Sequence, residues 1–91
     1  MENLYSFNWD CGRNGSIDGL FIQDEEKVNG MIGEEIYFGN ILGKHSEVYG
    51  TITEGDIVKV DVSNSVVEEL KNAFKGHTIS GYNPFDYYNV D

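Results

Sequence analysis

Chemistry in this sequence would have to start from a small set of nucleophiles and bases: one cysteine, Cys11, and two histidines, His45 and His77. A thiol attacks as the thiolate and needs a base within hydrogen-bond reach, whereas Asp10 beside Cys11 opposes loss of its proton. Pairing of Cys11 with either histidine rests wholly on the fold. A general acid and base drawn from 16 carboxylates is equally unspecific. The histidines lack the spacing of zinc ligands, and Asp24-Glu25-Glu26 lacks the alternating oxygens of a calcium loop. No catalytic residue, metal or cofactor is therefore expected, and the chain reads as a binding protein rather than an enzyme.

Two binding surfaces can be drawn from residue type. The stretch Gly39-Asn40-Ile41-Leu42-Gly43-Lys44-His45-Ser46 superficially resembles a phosphate-binding P-loop. That motif needs four residues between its glycines and a hydroxyl directly after the lysine; here Asn40, Ile41 and Leu42 intervene and His45 separates Lys44 from Ser46. What remains is a local concentration of cation and hydrogen-bond donors: Arg13, Lys44, His45, Ser46 and Tyr49 are candidates to hold an anionic small molecule such as a nucleotide. The alternative is a polar hairpin loop whose side chains bond nearby backbone. The second surface is a C-terminal aromatic tail, residues 83–91. Tyr82, Phe85, Tyr87 and Tyr88 either complete the core or anchor a protein interface.

Acid clusters at Asp24 to Glu26, Glu34-Glu35, Glu68-Glu69 and Asp86 admit a third reading, imitation of a DNA backbone, against the plainer one of a solvated surface. The balance of 16 acids against 6 bases gives a formal charge of −10. Such a charge disfavours direct binding to nucleic acid or to an anionic membrane and favours a partner with a basic surface.

The elements that must position these residues follow from periodicity. Leu4 to Trp9 alternates, with Tyr5, Phe7 and Trp9 on one side of a strand, and Cys11 to Gly15 turns the chain into a second strand, Ser16 to Ile22. Asp24 caps a short helix with Val28, Met31 and Ile32 on its apolar face and Gly33 as its left-handed stop. Three β-like runs follow, Glu35 to Leu42, Glu47 to Thr53 and Asp56 to Val62, the last two joined by a two-residue loop at Glu54-Gly55. Ser65 and Glu68 form a capping box for a helix running through Leu70 and Phe74 to Gly76, and His77 to Tyr82 suits a final short strand.

With 91 residues, 40% apolar and 13% aromatic, one core is the limit and a folded single domain spanning 1–91 is expected. The expected class is α+β: an antiparallel sheet of about five strands with two helices packed on one face, in the order β-β-α-β-β-β-α. A lone cysteine suits a reducing compartment. The first ten residues hold no basic segment and no apolar run, so no secretory leader is expected, and no stretch reaches the ~20 apolar residues of a membrane span.

Taken together, Trp9-Asp10-Cys11-Gly12-Arg13, Gly19-Leu20-Phe21-Ile22, Tyr37-Phe38-Gly39, the run from Leu42 to Gly50 (LGKHSEVYG) and Gly81-Tyr82-Asn83-Pro84-Phe85 resemble a group of short uncharacterised proteins of tailed phages and prophages, over about Trp9 to Tyr88. The resemblance implies a setting, the bacterial host cytoplasm, and no catalytic residues. In that setting the leading expectation is a small phage-encoded protein that binds and inhibits a bacterial host or defence protein. A sponge for an anionic ligand and a DNA mimic are the alternatives. A homodimer through an exposed sheet edge or the aromatic tail is a further expectation.

Overall fold

Alternation in the first two strands decides the architecture. The computed structural model describes residues 2–43 and 47–88. β1 (Glu2–Asp10) and β2 (Ser16–Asp24) pair antiparallel along their whole length, from Glu2 opposite Asp24 to Asp10 opposite Ser16. The turn between them is a single 3₁₀ turn, Gly12–Asn14, closed by Cys11 N–H donating to Gly15 O at 2.8 Å. Because successive side chains alternate faces, the pairs Tyr5/Phe21 and Trp9/Ile17 share one face and Leu4/Ile22 and Ser6/Leu20 the other.

Each apolar face finds its own cover. On the first, Tyr5, Phe7, Ile17 and Phe21 pack with Val28 and Met31 of α1 (Glu25–Met31), with Ile36 and Phe38 of β3 (Glu35–Gly39), with Val48 of β4 (Val48–Thr51), and with Ile52 and Ile57. On the second, Leu4 and Ile22 meet Val67 of α2 (Asn64–Phe74), with Leu20, Val60, Leu70 and Ile79 around them. β5 (Ile57–Lys59) pairs with β1 and β6 (Thr78–Gly81) with β2, giving a four-stranded antiparallel sheet in the order β5-β1-β2-β6, while β3 and β4 form a separate two-stranded ribbon. The last element, α3 (Pro84–Tyr87), lies against β3.

The α+β class is as expected, and its internal arrangement differs from the sequence reading. The three middle runs do not form a meander: β4 returns to β3, and β5 crosses to β1, so Glu54-Gly55 is a turn between strands of different sheets. The apolar residues of β3 and of β5 both feed the first cluster, which a layer over β1 and β2 satisfies as well as a continuous sheet would. The two helices serve opposite faces because both faces of β1 and β2 carry apolar residues, and Val67 and Leu70 of α2 help to cover Leu4 and Ile22.

Local signals act where their chemistry allows. Asp24 caps α1, accepting from Glu26 N–H at 2.9 Å, and Gly33 takes φ +92° just beyond the helix end. At α2 the cap is Ser63, whose hydroxyl accepts from Val66 N–H at 3.4 Å, and Ser65 lies in the first turn. The helix stops on Lys75 in the left-handed conformation, one residue before Gly76.

The tightest point in the fold is the crossing of β2 and β6. Gly19 stands opposite Gly81, and Tyr82 N–H donates to Asp18 O at 2.9 Å. A Cβ on Gly19 would stand 2.7 Å from Tyr82 N and nearer still to its carbonyl O. Gly81 itself has φ +66°, and a Cβ there would stand 2.9 Å from Gly19 Cα. This contact feeds the chain into a polar latch. Buried Asn83 donates through Nδ2 to Thr78 Oγ1 at 3.0 Å and accepts on Oδ1 from Phe85 N–H at 3.0 Å, while Thr78 Oγ1 donates to Asp86 Oδ2 at 3.1 Å. Pro84 at the first helical position needs no amide partner there.

Candidate functional site

The aromatic tail, as far as Tyr88 where the described residues end, is drawn into the core. Tyr82, Phe85 and Tyr88 pack as half-buried residues against the first cluster, with Phe85 and Phe21 ring centroids 5.7 Å apart. Tyr87 reaches Phe38 at 4.6 Å while keeping about a third of its surface exposed, 36%. Burial and the neighbouring Glu34 carboxylate push the Tyr88 phenol above its ordinary range. The tail thus closes the sheet face under β3, and of its aromatics Tyr87 presents the most surface.

The residues set together for an anionic ligand divide. Arg13 is exposed on the 3₁₀ turn and Tyr49 is exposed on β4, whereas Lys44, His45 and Ser46 lie outside the described residues. Cys11 and His77 are at opposite ends of β1. His77 Nε2 is 2.8 Å from Glu2 Oε2 at the start of the strand, and Cys11 follows its end, so about 26 Å of extended chain separates them and they cannot act as nucleophile and base. Among the described residues no group of three or more His, Cys, Asp or Glu side chains is placed to hold a metal ion. No helix among the described residues is long and apolar enough to cross a membrane.

What the fold does bring to the surface is a tyrosine pair that periodicity alone points outward. In β3 the buried residues Ile36 and Phe38 leave Tyr37 facing solvent, and in β4 buried Val48 does the same for Tyr49. The two are direct cross-strand partners with ring centroids 6.3 Å apart and remain 55% and 61% exposed. Exposed Glu35 and Thr51 form the next pair on the same face of the ribbon, and exposed Glu47 precedes β4. Tyr49 belongs to the ligand set expected from the sequence, and Tyr37 does not. The signal was the alternation Ile36-Tyr37-Phe38, which forces the middle residue away from the core.

Two clefts open on the surface, of which the second borders β4. One of about 520 Å³ lies between α1 and β5, floored by Tyr5, Val28, Ile32 and Ile57 with Glu25 and Lys59 at its rim. Burial, with Glu25 and Asp24 nearby, pushes the Tyr5 phenol above its ordinary range, although Asn3 Nδ2 donates to its oxygen at 3.5 Å. The other, of about 320 Å³, runs beside β4 between residues 47–51 and the end of β1 at Trp9, Asp10 and Cys11. No family model, no curated protein and no solved structure matches the chain.

Proposed function

We propose that this chain is a non-enzymatic binding protein that docks on a basic surface of a bacterial protein and inhibits it, with Tyr37 and Tyr49 as its anchors. The exposed cross-strand tyrosine pair carries this reading. Tyrosine offers large, rigid contact area at low entropic cost and is enriched among residues whose truncation costs most at interfaces. The pair is held by the ribbon, so little ordering remains when a partner arrives. The charge of −10 supplies steering toward a basic partner. The likeness to short phage and prophage proteins supplies the setting, the bacterial cytoplasm, and makes a host or defence protein the natural target.

The test is retention of a bacterial protein at stoichiometric amount in a low-salt pull-down, with loss of that protein's activity on mixing. Tyr37→Ala with Tyr49→Ala abolishes both while leaving the fold intact. Retention unchanged by the double substitution, or no bacterial protein retained by the wild type, overturns the assignment.

A further inference from the structure

β4 has one strand partner, β3, and among the described residues no other strand pairs with it. The unpaired edge borders the 320 Å³ cleft. One wall of that cleft is the unbroken run 47–51. Side chains of a strand alternate between faces, so a wall made of consecutive residues is a wall of backbone, seen edge-on. The other wall is the end of β1. There the Trp9 indole lies against β4 at the residue that has no side chain: a Cβ on Gly50 would stand 3.5 Å from Trp9 Cη2. Asp10 and Glu47, both exposed, are the charged residues of the lining among the described residues, and no described cation stands with them there.

Unpaired backbone donors and acceptors, an indole wall and an acid at each side together describe a slot for one more strand. We propose that this slot receives an extended segment of the partner, three or four residues long, with Lys or Arg at alternate positions. Main-chain bonds to β4 would hold it, as in other cases of strand addition. Its cations would meet Asp10 and Glu47 and the face of Trp9. A second copy of this chain is disfavoured as occupant, because two chains of charge −10 repel and β4 (Val48–Thr51) brings no Lys or Arg to meet Asp10 and Glu47. This inference deepens the protein-binding reading and rests on it.

The test is a titration of the full chain, followed by backbone amide and indole NMR signals, with an end-blocked octapeptide of alternating threonine and lysine. The matching threonine–glutamate peptide is the control. The expected result is shifts confined to amides of residues 47–51 and to the Trp9 indole N–H, with slowed amide exchange in β4. Binding falls at least tenfold in the Asp10→Asn, Glu47→Gln double variant and is lost when Cys11 is alkylated with a bulky maleimide, spectral dispersion being retained. Shifts elsewhere, equal binding of the glutamate peptide, or indifference to both the double variant and alkylation overturns the slot. So does concentration-dependent self-pairing at β4 without peptide. A bacterial partner that the alkylated protein still captures through Tyr37 and Tyr49 leaves the broader reading standing while removing the slot.

Discussion

Replacing Gly19 by alanine should be among the most damaging single-methyl changes in the molecule. The added Cβ would stand 2.7 Å from Tyr82 N and closer to Tyr82 O, and both are backbone atoms that no rotamer change can move aside. Relief requires β2 and β6 to part, which stretches the Tyr82 N–H to Asp18 O bond and loosens the Asn83 latch behind it. Overpacking of this kind costs about 1–3 kcal/mol, and a lost hydrogen bond adds about 1 kcal/mol. A loss of roughly 2–4 kcal/mol is therefore expected, against a total of about 5–15 kcal/mol for a small domain. Gly81→Ala should do at least as much harm, since φ +66° adds about 1–2 kcal/mol for a residue with a Cβ. Gly55→Ala meets nothing within 4 Å and should stay within about 0.5 kcal/mol of wild type. Urea unfolding followed by tryptophan fluorescence reads all three. Gly19→Ala as stable as Gly55→Ala would refute the close crossing of β2 and β6.

Further outcomes follow from single contacts. Lys71 Nζ donates to Glu2 Oε1 at 2.6 Å, and this bond, with His77 on the other oxygen, holds the Glu2 carboxyl below the ordinary glutamate range. A lowered folded-state value means the contribution is present above the unfolded value and is lost as pH falls through the folded one. Glu2→Gln should therefore lower stability at neutral pH and converge with wild type in acid, as thermal melts across pH would show. Ile52→Ala, at a fully buried position of the first cluster, should cost about 2–5 kcal/mol in urea unfolding. Tyr37→Ala and Tyr49→Ala should each cost only about 0.2–1 kcal/mol of stability, while weakening partner binding about 30-fold if each is an anchor worth ~2 kcal/mol. Gently purified protein should show its bare mass by native mass spectrometry; an added few hundred daltons lost on denaturation, and removed by Lys44→Ala with His45→Ala, would favour the ligand sponge instead.

Strand periodicity was the most legible signal in the sequence, because alternation in Leu4 to Trp9 is a local property of pleated chain. The caps at Asp24 and the stop at Gly33 were legible for the same reason. Which strands pair was not, since Ile36, Phe38 and Ile57 are equally satisfied by one sheet or by a ribbon laid over another. Nor was the meaning of Gly19 and Gly81, which becomes visible only when two segments far apart in sequence touch backbone to backbone. At the candidate site, Tyr49 stood out by its loop neighbours, but the partnership with Tyr37 depends on register, and the slot beside β4 depends on Trp9 meeting Gly50 across the fold.

The most direct test of the tyrosine-anchored interface is photo-cross-linking. A photoreactive phenylalanine replaces Tyr49 in one variant and exposed Glu68 on α2 in another, and each is irradiated in bacterial lysate at low salt. One bacterial protein should be joined at substantial yield through position 49 and none through position 68. Equal cross-linking from both positions, or none from position 49, would contradict the tyrosine-anchored interface.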